Sequence, residues 1–125
     1  MDLLTYQKAL YDAYKALGYD VYDYVPTDAP MPYIRLDFNQ TLDAGTKTTE
    51  GYEILQYINI FSRYRGQKEV KDIAQKLLQV SREIDGLDVR LRQLTIREEN
   101  YKQEKVSGAT MGSIYQATLV LKIKI

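Results

Sequence analysis

The residues to weigh first are carboxylates. Asp20, Asp23 and Asp28 fall close together, and oxygen ligands of this kind can hold a hard cation. The loop spacing of a calcium hand is absent, however, and Asp23 alternates with Tyr22 and Tyr24 as on a strand, so no metal site is expected. Glu98 and Glu99 are adjacent. Neighbouring residues on a strand point to opposite faces, so the pair cannot share acid and base work. Arg63, Tyr64, Arg65, Lys68 and Lys71 form the compact basic cluster of the chain, just ahead of and within a helix start whose free amides favour an anion. Glu69 and Asp72 stand among them and offset the charge, which favours a solubilising role over a phosphate site. Asn39-Gln40-Thr41 fits the glycosylation acceptor pattern, but without a secretory signal it carries no meaning. There is no phosphate-binding glycine loop, dinucleotide fingerprint or nucleophile elbow. No catalytic residue and no cofactor are expected.

Composition narrows the chemistry further. The chain has 125 residues, no Cys and no His. Thiolate nucleophiles and disulfides are thereby excluded, along with the commonest metal ligand and the usual neutral-pH base. Lys plus Arg and Asp plus Glu both number 17, for a formal net charge of zero, so the basic excess that holds proteins on nucleic acid is missing. The opening Met-Asp-Leu-Leu-Thr-Tyr-Gln-Lys matches neither a signal nor a transit peptide, and no apolar run approaches about 20 residues. The expectation is an intracellular, soluble protein with no membrane partner. Tyrosine stands out, with 12 Tyr against 2 Phe and no Trp. A large apolar face with a polar tip suits half-exposed strands and subunit interfaces alike.

One domain, residues 1–125, accommodates the elements that these residues decorate. Residues 2–17 place Leu3, Tyr6, Leu10, Ala13, Tyr14 and Leu17 at helical steps, with Gly18 as a stop. Tyr19 to Val25 reads as a short extended segment, and the prolines between Pro26 and Pro32 predict a fixed, extended connection. From Tyr33 the pattern alternates, with Ile34, Leu36 and Phe38 inward. A polar loop from Gln40 to Gly51 follows. Tyr52, Ile54, Ile58 and Ile60 then share one strand face while Leu55, Tyr57 and Phe61 make the other apolar, which predicts cover on both sides. Val70, Ile73, Ala74, Leu77 and Ile84 repeat as a helix between Gly66 and Gly86. Val89 and Leu91 differ in parity from Leu94 and Ile96, so a bulge is expected near Arg92 and Gln93. A second long loop, Asn100 to Ser113, leads to a last strand from Tyr115 to Ile125. The order helix-strands-helix-strands implies an α+β fold, a mainly antiparallel sheet with two helices packed on one face. Long loops on such a sheet are where function tends to sit.

Four segments together resemble the tail completion and tail-to-head joining proteins of long-tailed bacteriophages. They are Leu10 to Leu17; Val21-Tyr22-Asp23 and Val25-Pro26 leading to Pro32-Tyr33-Ile34; the strand end Ile58-Asn59-Ile60-Phe61-Ser62; and the helix opening Gly66, Glu69, Val70 and Ile73. The resemblance implies a structural virion protein and a six-fold ring of copies. That ring would close the tail tube and meet the connector or neck proteins, with DNA only as passing cargo. It also implies a place in the virion tail or neck after assembly in the host cytoplasm. On that basis the two loops would reach neighbours, and Lys47, Glu50, Glu98, Glu99, Lys102, Glu104 and Lys105 are the expected interface residues, mixed charges that set register more than affinity.

The alternative is a small nucleic-acid-binding module that stacks bases on Tyr33, Tyr57 and Phe61 beside Arg35, Arg63 and the Arg63–Lys71 cluster. Zero net charge opposes it. Binding to random DNA should be no tighter than about 1 μM at physiological salt, as checked by titration at two salt concentrations. Submicromolar, steeply salt-dependent binding that disappears on combined Arg63→Ala, Arg65→Ala and Lys68→Ala substitution would establish the alternative.

Overall fold

A computed structural model describes residues 1–47, 49–105 and 108–125, and their side chains outside residues 100–112. In chain order the elements are α1 (Leu3–Ala16), β1 (Asp20–Tyr22), β2 (Tyr33–Asp43), β3 (Tyr52–Ser62), α2 (Lys68–Arg82), β4 (Asp88–Lys105) and β5 (Gly108–Lys124). The strands form one sheet in the order β1-β2-β3-β5-β4. β1 runs parallel to β2, and the other neighbours are antiparallel. The fold is α+β with both helices over one sheet face, as the residue pattern predicts.

Local chemistry sets the helix ends. Asp2 caps α1 by accepting a 2.7 Å hydrogen bond from the Thr5 amide, which holds its carboxyl below the ordinary value. Gly18, at φ +96°, turns the chain out of the helix. At the other helix, Ser62 ends β3 fully buried; its hydroxyl donates to Glu69 at 2.6 Å and accepts from the Tyr64 amide at 2.9 Å. Gly66, at φ +93°, makes the turn between them.

The core is one cluster. Tyr6, Leu10 and Tyr14 of α1 and Val70, Ile73, Ala74 and Leu77 of α2 cover Ile34, Ile54, Ile58, Ile60, Leu119, Leu121 and Ile123 of the sheet. Polar groups within it are partnered. Ser81 donates to the Leu77 carbonyl at 2.6 Å, which commits its single proton, so the Tyr14 hydroxyl 2.6 Å away is the donor to Ser81 Oγ. Gln56 faces inward from the middle of β3; its Oε1 accepts from Tyr6 at 3.0 Å, and its Nε2 donates to the carbonyls of Asp37 and Tyr57 at 3.1 and 3.0 Å. Among the described residues no buried side-chain polar atom lacks a partner.

Several expectations need correction. The described part of the Asn100–Ser113 stretch is strand and not loop: β4 and β5 continue as a hairpin whose pairing runs on to Lys105↔Gly108. From Glu99↔Ile114 onward the hairpin is a two-stranded ribbon, because β3 accompanies β5 only as far as Tyr115. At about 3.3 Å per residue the ribbon adds about 20 Å. The Gln40–Gly51 stretch is likewise strand over its first third, since β2 continues to Asp43, beyond which Ala44 N donates to Gly51 O at 2.9 Å. Phe38 points away from the core and is 62% exposed. A register shift between Leu36 and Asn39 sets two residues against Tyr57 and turns Phe38 onto the helix-free face, where its ring meets Tyr57 at 5.3 Å. β3 is also not covered on both sides: Leu55, Tyr57 and Phe61 are half-buried by their sheet neighbours alone. The Pro26–Pro32 connection bends, with Ala29 N bonding Pro26 O at 3.2 Å, and this brings β1 alongside β2. The bulge near Arg92 is present, as a shift between Leu91 and Gln93.

Two stability outcomes follow from this packing. Leu77 is fully buried, so Leu77→Ala should cost about 2 to 5 kcal/mol in urea unfolding. Burial pushes the Tyr14 phenol far up, against a smaller lowering from its bond to Ser81. A raised folded-state value means that this contribution is complete below the unfolded phenol value near 10 and drains away as pH rises past it. Tyr14→Phe should therefore lose about 1 kcal/mol at neutral pH and show a shallower decline above about pH 10, read by unfolding curves at the two pH values.

Candidate functional site

The acidic residues do not assemble into a centre. Asp20 opens β1 and Asp23 and Asp28 lie in the connection after it, all exposed. Among the described residues no group of three or more acidic side chains is placed to hold a metal ion. Glu98 pairs across the ladder with Tyr115 and Glu99 with Ile114, so their side chains diverge as expected, and Glu98 accepts from Ser113 at 2.9 Å. A groove of about 550 Å³ lies between the start of α1 and the Glu50–Tyr52 turn. Asp2, Glu50 and Tyr52 are the ionisable side chains in its wall.

The basic cluster sits at the junction of β3 and α2, and its members are exposed. Acids are interleaved with it: Glu69 and Asp72 line the same shallow pocket as Tyr64 and Lys68, and Lys76 pairs with Asp72 at 3.0 Å. The aromatic residues of the alternative reading lie on the helix-free face, where they contact each other. Tyr33 packs on Phe61 at 5.0 Å and on Tyr22 at 5.8 Å. Beside them Arg35 reaches Asp37 at 4.0 Å, and Lys122 meets Glu53 at 3.0 Å. Charge on this face is balanced, which suits protein contact better than a phosphate backbone.

A polar network at the centre of the same face escaped the sequence reading. Asn59 donates to Asp37 at 2.6 Å, and its Oδ1 accepts from Thr118 at 2.7 Å and Gln116 at 3.0 Å. Arg97 donates to Gln116 at 3.3 Å, extending the chain of bonds from β2 to β4. Lone Asn, Gln and Thr residues alternating with core positions are the signal that could have exposed it.

The residues expected at an interface fall into two groups at opposite ends of the sheet. Lys47 and Glu50 are exposed in the turn where β2 ends and β3 begins. Glu98 and Glu99 are exposed at the other end, where β4 enters the ribbon. Lys102, Glu104 and Lys105 continue along that ribbon by backbone position; their side chains lie outside the described residues. The fold thus separates what the sequence reading had grouped together.

Comparison with known proteins gives a consistent outcome. The family model described as Tail completion protein gp17 matches residues 6–107. No curated protein matches the chain. Among solved structures, a chain of the virion of a native gene transfer agent particle is similar at 25% identity, with 94% of this chain and 92% of that chain covered and a TM-score of 0.57. The family match begins within α1 and runs through the β2–β3 pair and α2 into the ribbon. A surface of balanced charge, a helix-free aromatic face and a projecting ribbon accord with it, and the chain belongs to the tail completion protein gp17 family, as a structural protein of phage tails.

Proposed function

We propose that residues 1–125 work as one tail-completion unit, a subunit of a six-membered ring that closes the tail tube and joins it to the head connector. The family match over residues 6–107 carries this reading. The separation of the two charged groups supports it, since a ring between tube and connector needs a contact surface at each end. The ribbon end, with Glu98, Glu99, Lys102, Glu104 and Lys105, engages the tail-tube protein. The opposite end, with Lys47 and Glu50, meets the connector. Charges of both signs in each group fix register and reject wrong partners more than they add affinity. The protein acts by contact and not by catalysis, in the tail or neck of the virion, after assembly in the host cytoplasm; DNA passes it as cargo.

The test separates folding from attachment. The core residues of β4 and β5 lie before the ribbon begins, at Val89 and at Ala117, Leu119, Leu121 and Ile123. Joining Glu99 to Ile114 through Asn-Gly, a two-residue hairpin turn, should leave circular dichroism and melting close to wild type and abolish capture by tail-tube protein. Unfolding would make the ribbon part of the folding unit. Undiminished capture would move the contact elsewhere, to the Ala44–Gly51 turn or the Pro26–Pro32 connection.

A further inference from the structure

The sheet has two open edges, and they complement each other. On one side β1 covers β2 only from Tyr33 to Arg35, so the β2 backbone from Leu36 to Asp43 has no strand beyond it. On the other side β4 ends the sheet. Long uncovered edges are ordinarily shortened, twisted away or blocked; here both are retained. The pairings make β4 antiparallel to β2 within one subunit. A second copy related by rotation about an axis along the strands therefore offers its β2 edge to β4 in the antiparallel sense.

Charge and apolar surface agree with that docking. Around the β1–β2 edge stand Asp20, Asp23, Asp28, Asp37 and Asp43, against Arg35. Along β4 before the ribbon stand Arg90, Arg92 and Arg97, against Asp88 and Glu98. On the helix-bearing face β4 exposes Leu91 and Leu94, at 44% and 39%. At the β2 edge the same face carries an open groove of about 450 Å³ between α1 and Leu36, walled by Leu4, Gln7, Lys8, Tyr11 and Asp23, with Lys8 paired to Asp12 and Leu4 80% exposed. An incoming β4 would lay its leucines toward that groove and its arginines toward the aspartates.

The geometry points to a head-to-tail contact in which β4 of one copy extends the sheet of the next along the β2 edge, the partner being a second copy of this chain. Such a heterologous contact closes into a ring when its rotation permits, and its strand pairing is augmentation of a sheet edge. The inference rests on the ring reading above and says which surfaces make the ring.

Two experiments on the full chain test it. Because the chain has no cysteine, Gln40→Cys and Arg90→Cys report only on the new contact; both sites are exposed on the helix-free face and lie at the same height along the strands, through Leu55 and Lys122. Each variant alone should give no disulfide-linked dimer under mild oxidation, and a mixture of the two should give a mixed dimer. Separately, Arg90→Glu with Arg92→Glu, and Asp23→Lys with Asp43→Lys, should each weaken self-association at least about tenfold in sedimentation. An equimolar mixture should restore it, because each reversed edge then meets its complement. If wild-type protein assembles while the cysteine mixture stays unlinked, or while each charge variant assembles as wild type does or the mixture fails to recover, the edge contact is wrong and the ring survives. If wild-type protein remains a monomer at hundreds of micromolar, ring and edge contact fall together.

Discussion

Burial of one face of a sheet beneath two helices is the constraint from which the remaining features follow. The apolar stripe of α2 and the Tyr6, Leu10 and Tyr14 side of α1 cover the central strands so completely that Ile54, Ile58, Ile60, Leu121 and Ile123 have no exposure. Two helices of 14 and 15 residues are about 21 to 23 Å long and cannot cover everything. Where their cover ends, β4 shows leucines to solvent and the hairpin leaves the body of the sheet. The opposite face has no cover of its own, and its aromatic rings shield one another while Asn59 collects the polar groups between them. Core and contact surface are two outcomes of one limited supply of helix.

Inside that cover the buried amide of Gln56 has a definite task. A bulge breaks the regular ladder between β2 and β3 and frees carbonyl groups that burial would penalise. Gln56 donates to two such carbonyls, those of Asp37 and Tyr57, and takes the Tyr6 hydroxyl in return. One side chain thus ties α1 to the irregular point of the sheet. Losing it would leave several buried groups unpaired at once, which costs more than the bonds themselves are worth. A residue that looks like an interruption of an apolar strand in the sequence is what allows the strand to bend there.

The legible parts of the sequence were those with a strong period. Leu3 to Leu17 and Val70 to Ile84 display helical steps, and Tyr115 to Ile125 alternates without a break, so element type, order and core face followed directly. The parity change from Leu91 to Leu94 was enough to locate a bulge. The ribbon was illegible for the complementary reason. From Glu98 to Ser113 the sequence is mostly polar or small, with Tyr101, Val106 and Met111 isolated and of mixed parity, so no alternation records the strand. Phe38 misled because hydrophobicity marked it as inward, while the displacement of β2 that turns it out depends on Gln56, far along the chain. The candidate surface was legible as a set of charged residues but not in its division, since which residues share an end of the sheet is decided by pairing between strands.

The long hairpin has a mechanical side. Its hydrogen bonds run across the strands, so a pull along β4 and β5 loads every rung of the ladder together, whereas a pull that parts the strands at their open end loads one rung at a time. The same element is therefore stiff in tension along its length and weak in peeling. β3 supports β5 up to Tyr115, which sets a boundary beyond which peeling meets only two-stranded resistance. A particle part strained along the strand direction would transmit that strain into the sheet through β5, the strand gripped on both sides, and not through β4 at the rim.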